Sequence, residues 1–353
     1  MSCNFGEKFK ITIFGQSHSE AIGVVIDGVP AGITLDGEKI ASFMARRAPG
    51  KNAYSTKRKE ADCPEIVSGV VDGITCGTPI CAIIRNSDQH SKDYSKLKIL
   101  PRPSHSDFAA YMKHGGFNDI RGGGNFSGRM TAPMCFAGAV AMQILEKKGI
   151  KIGAHIEKIA GVCDTRFDPV NPDISTLDGK DFPLINDSVK DEMLAKIEAA
   201  RLDCDSVGGV IECAVTGLPV GLGEPMFGGV ENVLSQAMFA VPAIKGIEFG
   251  NGFDCADLKG SENNDEFTVN DGKITTVTNN HGGILGGLTS GMPLIFRVAV
   301  KPTPSISKPQ MTVNLETNKP EELVIEGRHD PCIVPRAVPC IEAATAIALI
   351  NLI

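Results

Sequence analysis

The organisation of this chain depends on one stretch, Arg121-Gly122-Gly123-Gly124-Asn125-Phe126-Ser127-Gly128-Arg129, which leads directly into the clearest helical pattern of the sequence, residues 131–148. Apolar side chains recur along that pattern at helical spacing, and Gly149 supplies its stop. Glycines let an anion approach the backbone, and a helix N-terminus offers free N–H groups, so the junction is typical of an anion-binding site. A glycine-rich turn at a sheet edge explains the same letters equally well, because the segment matches neither the P-loop nor the dinucleotide-binding fingerprint.

Further segments with strand or helix periodicity interleave along the chain. Strands are predicted at residues 9–14, 22–26, 66–71, 79–84, 210–215 and 294–300, and helices at 35–47, 188–201, 230–241 and 338–353. The interleaving has no regular period, which argues against a barrel or a solenoid. A chain of 353 residues is long enough for one large domain or two ordinary ones.

Charge, cysteine content and hydropathy exclude several classes of protein. With 35 Lys plus Arg against 42 Asp plus Glu, the net charge of -7 argues against nucleic-acid binding, which needs a basic face. The 11 cysteines are odd in number and form no C-x-x-C pair, so we expect reduced thiols in a cytoplasmic protein and no metal site. The N-terminus has no apolar leader and no long apolar run occurs, which predicts neither secretion nor a membrane span.

Two histidines lie in similar polar turns. His18 ends the turn at residues 15–18, and His105 lies in the segment 102–107, which contains proline and serine. Histidine titrates near neutral pH and can donate a proton to a group that becomes anionic. A single histidine in a turn is more often structural, but two histidines in rigid turns, each beside a hydroxyl group, favour a functional interpretation.

A cation and a carboxylate stand two residues apart near the C-terminus, at Arg328 and Asp330, directly before Pro331. They are either a surface ion pair of little energetic value or an anion clamp beside a base or orienting group. Basic residues recur at this and the other turns: Arg46, Arg47, Arg121, Arg129, Lys301, Arg328 and Arg336. So many cations predict a polyanionic ligand, such as a phosphorylated carboxylic acid together with a phosphate-bearing cofactor.

Three segments, taken together and in this order, resemble the signatures of the chorismate synthase family. They are Gly15-Gln16-Ser17-His18-Ser19 with residues 26–30, then Gly124-Asn125-Phe126-Ser127-Gly128-Arg129-Met130-Thr131, and last Arg328-His329-Asp330-Pro331-Cys332 continuing to residue 342. Further similarity covers residues 46–50, 102–107, 205–224, 246–253, 282–287 and 301–305. Three ordered matches are far more specific than any one of them, and the chain is identified as a member of that family.

The resemblance implies an α+β fold, a β-α-β sandwich with a helical layer between antiparallel sheets, as a single domain over residues 1–353 in a homotetramer. It implies a lyase that removes phosphate from 5-enolpyruvylshikimate 3-phosphate by 1,4-elimination, giving chorismate for aromatic amino acid biosynthesis in the shikimate pathway. It also implies a requirement for reduced FMN without net redox change, with NADPH or a separate flavin reductase as the source of electrons.

The resemblance further implies roles for individual residues. His18 assists the departing phosphate, His105 lies on the flavin side, and Asp330 relays a proton with Ser17 and Ser127. The positions that match FMN contacts are Asn125, Phe126, Ser127, Gly286, Lys301, Pro302, Thr303, Pro304, Ser305 and Arg328. The positions that match substrate contacts are His18, Arg47, Arg129 and Arg336, and Arg47 also matches a position linked to a nicotinamide nucleotide in some members.

The chain departs from the family pattern at six positions. These are Gln16 in place of an acidic residue, Ser19 in place of glycine, Ala48 and Ala53 where arginine is common, and Asn125 with Phe126 where Arg-Ser is common. The departures keep open a second interpretation, a flavin- or phosphometabolite-binding homologue without elimination activity. They also predict that flavin affinity depends more on Lys301 and Arg328, and that the chain needs an outside reductant.

Overall fold

Two five-stranded antiparallel sheets enclose a layer of helices in the computed structural model, which describes residues 3–50, 62–86, 96–325 and 330–353. The helices are α1 Gly37–Arg47, α2 Asp107–His114, α3 Thr131–Glu146, α4 Lys190–Leu202, α5 Val230–Phe239, α6 Gly260–Asn263 and α7 Val334–Ile350. The strands are β1 Asn4–Phe5, β2 Lys10–Gly15, β3 Ala21–Asp27, β4 Glu65–Ser68, β5 Val70–Val71, β6 Ile74–Thr75, β7 Ile80–Arg85, β8 Lys151–Ile159, β9 Val162–Cys163, β10 Gly209–Thr216, β11 Ile244–Phe249, β12 Phe267–Asn270, β13 Lys273–Thr276, β14 Ile284–Leu285, β15 Leu288–Thr289, β16 Leu294–Val300, β17 Gln310–Asn314 and β18 Lys319–Leu323.

The two large sheets differ in strand order. The first has the order β1-β2-β3-β7-β4, and the second has the order β11-β16-β10-β8-β9. Every pairing within them is antiparallel. The remaining pairs of strands within the described residues form four two-stranded sheets. The predicted α+β class with antiparallel sheets is therefore confirmed.

The central layer consists mainly of α3 and α7, which pack against each other. On its other side α3 contacts β3 and β7 of the first sheet, whereas α7 contacts β8 and β10 of the second. Both helices are buried along nearly their whole length, which explains why their sequences are apolar on every face. A Cβ atom at Gly138 would lie only 2.3 Å from the Cβ of Ala343, so glycine is required for this close approach. One apolar core extends from Phe9 to Leu349 through both sheets and the helices. That the chain forms a single domain stays a prediction.

Most predicted elements are present, and the differences have local causes. The strand predicted at 66–71 is divided into β4 and β5 at Gly69, whose φ is +86° and whose notional Cβ would lie 2.6 Å from the Cα of Ile80. The helix predicted at 338–353 begins earlier, at Val334, because Pro335 in the first turn needs no N–H partner. Among the helices and the strands of the two large sheets, the prediction missed α2, α6, β1, β8, β9 and β11. In the described part of the chain, no helix has the length and apolarity needed to cross a membrane.

Candidate active site

A cavity of about 540 Å³ opens where α7, the segment preceding α3 and the segment after β16 meet. Twelve of the residues predicted for the site line it: Arg47, His105, Asn125, Phe126, Ser127, Arg129, Lys301, Thr303, Pro304, Ser305, Asp330 and Arg336. They come from widely separated parts of the sequence. The fold therefore brings most of the predicted site residues to one place.

The glycine-rich segment forms a tight loop rather than the first turn of a helix. Gly122, Gly123 and Gly124 all have positive φ, at +59°, +84° and +55°. A Cβ at Gly124 would lie 2.0 Å from the carbonyl oxygen of Asp119, so only glycine permits this path. The Gly124 carbonyl accepts a hydrogen bond from the Ser17 backbone N–H at 3.1 Å, which joins the loop to the turn that carries His18.

The two predicted histidines lie on the same pair of glycines. A Cβ at Gly122 would be 2.4 Å from Cε1 of His18 and 2.6 Å from Oγ of Ser17, and a Cβ at Gly123 would be 3.2 Å from Nε2 of His105. Ser17 and His18 are themselves buried and do not line the cavity, but both lie against Gly122, which does. The absence of side chains at this glycine pair, Gly122 and Gly123, is what allows both imidazoles to approach the loop.

His105 belongs to a histidine cluster, which we define as Arg102, His105, Asp107 and Ser305. Nδ1 of His105 lies 2.6 Å from Oδ1 of Asp107, and Arg102 donates to both carboxylate oxygens of Asp107, at 2.7 and 2.8 Å. Although burial alone would raise the pKa of Asp107, hydrogen bonds from Arg102 and His105 hold it well below its usual range. A carboxylate on Nδ1 fixes the ring and leaves Nε2 directed at the glycine loop.

Arg102 was not assigned a role from the sequence, yet it joins the histidine cluster to the segment after β16. Its Nη1 donates to Oγ of Ser305 at 3.1 Å, and its side chain lines the cavity although it is nearly buried. The only signal in the sequence was its position in the same short turn as His105. Asp107, whose carboxylate neutralises Arg102, was also missed, because its position in that turn was again the only signal.

Three arginines and two carboxylates form an arginine cluster beside the same cavity: Arg47, Arg129, Arg336 and Asp330 line it, and the buried Asp62 joins two of the arginines. Asp62 accepts from Nη1 of Arg47 at 2.5 Å and, through its other oxygen, from Nη1 of Arg129. Arg336 donates from Nη1 to Asp330 at 2.6 Å and from Nε to the backbone oxygen of Arg47 at 3.1 Å. Burial opposes ionisation of Asp62, but the charges of Arg47 and Arg129 lower its pKa below the usual value. The cluster thus holds a net positive charge beside the cavity.

Lys301 and Thr303 give the cavity the polar groups that a phosphate-bearing cofactor requires. Nζ of Lys301 donates to the backbone oxygen of Ser104 at 2.5 Å, and burial together with the charge of Lys245 lowers its pKa. Oγ1 of Thr303 is buried in the cavity wall and has no hydrogen-bond partner among the described residues. A buried hydroxyl without a partner is rare, and a bound polar ligand would satisfy it. These residues therefore fit the FMN implied by the resemblance.

An apolar wall faces these polar groups, and sequence reasoning missed it. It consists of residues 239–243 at the end of α5, with Ile333 and Ala337 of the α7 region. Phe126 adds a ring that is 38% exposed. An apolar wall suits the flat ring system of a cofactor such as a flavin, because ligand sites combine apolar surface with few polar groups. Periodicity cannot reveal such a wall, since helix ends with apolar residues are common.

Some predicted residues lie elsewhere. Gly286 is in the turn between β14 and β15, and neither it nor Pro302 lines the cavity. Arg46 and Arg121, counted among the available cations, are held by Glu342 (2.6 and 3.0 Å) and Asp119 (2.9 and 2.8 Å) and do not line it either. Arg328 and Ala53 lie outside the described residues.

The described departures from the family pattern differ in what the structure explains. Oγ of Ser19 accepts from the backbone N–H of residue 16 at 2.9 Å and donates to the carbonyl of the same residue at 2.8 Å, so the Ser19 hydroxyl closes the turn before β3, whereas the Gln16 side chain has no structural explanation. Ala48 is buried as the residue that ends α1. Asn125 and Phe126 line the cavity and change its surface from cationic to amide and aromatic.

Comparisons with known proteins agree over the whole chain. A family model described as "Chorismate synthase" matches residues 9–353. The chorismate synthase of Dehalococcoides mccartyi (strain BAV1) is 47% identical over 353 residues, which cover 100% of this chain and 96% of that protein. The chorismate synthase of Korarchaeum cryptofilum is 45% identical over 352 residues, which cover 98% and 95%. A crystal structure of chorismate synthase matches with a TM-score of 0.77 at 27% identity, covering 99% of this chain and 92% of that one. The matched region includes every element that lines the cavity.

Proposed function

Because the chain belongs to the chorismate synthase family, we propose that the cavity beside α3 and α7 is its active site. The enzyme is a carbon–oxygen lyase that converts 5-enolpyruvylshikimate 3-phosphate to chorismate and phosphate in aromatic amino acid biosynthesis. The observation that carries the assignment of the site is the convergence of the arginine cluster, the histidine cluster and the glycine pair on one cavity.

The arginine cluster is proposed to bind the anionic groups of the substrate. The substrate carries a phosphate and two carboxylates, and guanidinium groups bind such groups through paired N–H donors. Arg129 and Arg336 line the cavity and keep fixed partners, Asn86 for Nε of Arg129 and Asp330 for Nη1 of Arg336. Their orientation is therefore set before substrate arrives, which reduces the entropy that binding must overcome.

Proton handling is proposed to fall to His18, His105 and Asp330. His18, held against Gly122, donates to the phosphate as it leaves, and its Nδ1 lies 3.2 Å from Oγ of Ser17. His105 offers Nε2 toward the glycine loop while Asp107 fixes its other nitrogen. Asp330 relays a proton from the cavity wall, with Ser17 and Ser127 as hydroxyl partners in that relay. Such groups act on charge that develops as the phosphate departs.

Reduced FMN is proposed to bind between the apolar wall and the segment 301–305. Lys301 and the free hydroxyl of Thr303 would hold its phosphate, Ser305 and Ser127 its other polar groups, with Asn125, Phe126 and Pro304 alongside. Pro302, Gly286 and Arg328 remain proposed contacts from the family pattern. When bound, reduced FMN would supply transient electron donation to the elimination, without net redox change.

The proposal is tested by anaerobic turnover with photoreduced FMN and 5-enolpyruvylshikimate 3-phosphate, followed by the absorbance of chorismate. Oxidised FMN is the negative control. Arg129→Ala should raise KM about tenfold or more, because a charge-assisted contact is lost. Arg121→Ala, which removes an exposed arginine held by Asp119, should leave KM unchanged. Binding of substrate and flavin without any chorismate would instead favour the homologue without elimination activity.

An outside flavin reductase is proposed as the source of electrons rather than NADPH bound by this chain. Arg47, the position linked to a nicotinamide nucleotide, already donates to Thr131 (3.1 Å), Asp62 (2.5 Å) and the Gly128 carbonyl (3.0 Å). These three bonds use one donor each on Nε, Nη1 and Nη2, so the guanidinium has few N–H groups left for a nucleotide in addition to the substrate. Turnover in air with NADPH and oxidised FMN alone should be absent, and its presence would contradict this part of the proposal.

A homotetramer is proposed because large apolar side chains lie exposed on the surface. Phe227 is 88% exposed, Phe253 84%, and Phe267 and Ile274 of the β12–β13 hairpin are each 71%. Exposed apolar patches of this kind mark contact surfaces between proteins. Light scattering should give the mass of four chains, and Phe227→Asp should lower it. A monomer of the unchanged protein would contradict the proposal.

A cytoplasmic location is proposed from the cysteines. All 11 are free in the structure, as expected in a reducing compartment. Thiol titration of protein purified without oxygen should find all of them reduced. A reproducible fraction of cysteines in disulfide bonds would argue for an oxidising compartment.

A further inference from the structure

Two cysteines meet where α3 packs on α7 beside the cavity. The sulfur atoms of Cys135 and Cys340 lie 3.8 Å apart, and both side chains are buried. Cys340 lines the cavity, whereas Cys135 lies behind it. No step of the proposed elimination uses either thiol.

The helices approach each other closely next to the two cysteines. Gly138 and Ala343, each three residues further along its helix, pack so tightly that a Cβ on Gly138 would lie 2.4 Å from the Cα of Ala343. A disulfide needs Cα atoms within about 7 Å and a sulfur separation of about 2.0 Å. The two sulfur atoms, 3.8 Å apart, have to move from contact distance to bonding distance.

The surroundings of the pair make one thiol reactive and the other its partner. Donation from the Cys135 thiol and the charge of Arg47 lower the pKa of Cys340, against the effect of burial. The hydrogen bond that the Cys135 thiol donates to Cys340, together with burial, raises the pKa of Cys135. Burial raises the pKa of Cys332 to about 12 and also raises that of Cys213. Since the thiolate is the nucleophile, Cys340 is the buried cysteine suited to react.

We propose that Cys135 and Cys340 are a modification site at which hydrogen peroxide forms a disulfide in the cavity wall. The Cys340 sulfur attacks peroxide, an S–O bond forms, the O–O bond breaks and hydroxide leaves, giving a sulfenic acid. The Cys135 sulfur then attacks that sulfur, the S–S bond forms, and the hydroxyl leaves as water with the Cys135 proton. Two thiols and one peroxide thus give one disulfide and two waters.

The oxidant arises at the same cavity, a point that rests on the proposed flavin site. Reduced flavin that meets oxygen without substrate yields hydrogen peroxide, here within reach of Cys340. The disulfide would draw Cys340 toward α3. Cys340 is one turn from Arg336, whose carbonyl accepts from its thiol at 3.4 Å, so the arginine cluster would move and activity would fall.

The test uses the purified full chain without flavin, treated with equimolar hydrogen peroxide, then alkylated and mapped by peptide mass spectrometry. We expect a peptide cross-linked through Cys135 and Cys340, a loss of activity of about tenfold or more on later assay, and recovery with dithiothreitol. Cys213, matched in burial, should be alkylated only after unfolding, still as a free thiol. Cross-linking that is absent while exposed cysteines are oxidised would overturn the proposal.

Three variants separate the steps. Cys340→Ser should abolish the cross-link, and Cys135→Ser should leave a Cys340 sulfenic acid that dimedone traps. Cys213→Ser should form the cross-link like the unchanged protein, so loss of the cross-link there would overturn the proposal. In a second arm, reduced FMN and air replace added peroxide, with and without catalase. A cross-link with added peroxide but not with reduced FMN and air would contradict the flavin as the source of peroxide. No cross-link with added peroxide would overturn the proposal for the thiol pair itself.

Discussion

In both His105 and His155 a carboxylate lies beside Nδ1, but the surroundings of Nε2 differ between the two histidines. Nδ1 of His105 lies 2.6 Å from Asp107, and Nδ1 of His155 lies 3.1 Å from Asp164. Nε2 of His155 is 2.9 Å from Glu212 and the ring is fully buried, whereas Nε2 of His105 points to the glycine loop of the cavity. A histidine–carboxylate pair is thus common to the proposed active site and to a structural network. What distinguishes the two is whether the second nitrogen is reserved by the protein.

The surroundings of His155 suit a structural role. Asp164 accepts backbone N–H groups of Ile185 and Asn186 at 2.7 and 2.9 Å, and Glu212 accepts that of Phe167 at 2.7 Å. The network therefore attaches the long segment between β9 and α4 to the outer face of the second sheet. Every polar atom of the ring is used, and none is left for a ligand.

The largest expected effect comes from replacing His105 or His155 by alanine, each in a separate variant. His105→Ala should lower kcat by roughly 10²-fold to 10⁴-fold, the usual contribution of a proton-transfer group, with folding retained. His155→Ala should leave kcat per folded molecule unchanged but lower stability by about 3 kcal/mol, because two buried carboxylates lose their partner. Anaerobic turnover and urea unfolding measure both quantities. Equal loss of turnover in the two variants would remove the distinction.

Removal of the carboxylate shared by two arginines should be next in size. Asp62→Asn should destabilise the fold by about 3 kcal/mol, because Arg47 and Arg129 are left as buried cations beside each other. Inorganic phosphate should restore part of the loss by binding to them. Asp119→Asn at the partly exposed pair with Arg121 is the matched control and should cost less than about 1 kcal/mol. If Asp62→Asn lowered the free energy of unfolding no more than Asp119→Asn does, Asp62 would not stabilise the two arginines.

A smaller effect is expected where the carboxylate only orients the ring. Asp107→Asn should lower kcat about tenfold with KM nearly unchanged, because the amide can no longer select which nitrogen of His105 carries the proton. Steady-state kinetics at fixed pH gives both constants. A rise in KM with normal kcat would indicate that the histidine cluster serves binding instead.

The smallest effect is a dependence of stability on pH. Burial alone would lower the pKa of His155, but Asp164 and Glu212 raise it above the value of about 6.5 expected for an unfolded chain. The stabilisation is therefore complete below about pH 6.5 and is lost as the pH rises through the raised value. The difference in unfolding free energy between the unchanged protein and His155→Gln should shrink across that range. A difference that grows with pH would show that the ring is neutral when folded.

Sequence reasoning predicted residues of the candidate site from short segments but did not predict their partners. His18, His105 and the glycine loop were predicted because rigid turns and glycines are local features, which the chain displays over a few residues. Asp62 was missed because a single carboxylate carries no local pattern, and the apolar wall at residues 239–243 was missed because it resembles any helix end. The count of available cations was wrong at Arg46, since its partner Glu342 lies almost three hundred residues away in the sequence.

The sequence by itself determined the family, the kinds of element and the glycines of the loop, because these depend on local conformational preference and on motif order. Only the tertiary structure decided which of the adjacent Arg46 and Arg47 reaches the cavity, and which of two histidines keeps a free nitrogen. Those outcomes depend on distances between side chains from remote segments. A charged or titratable group behaves according to the partner it meets in space, and no local pattern in the sequence records that partner.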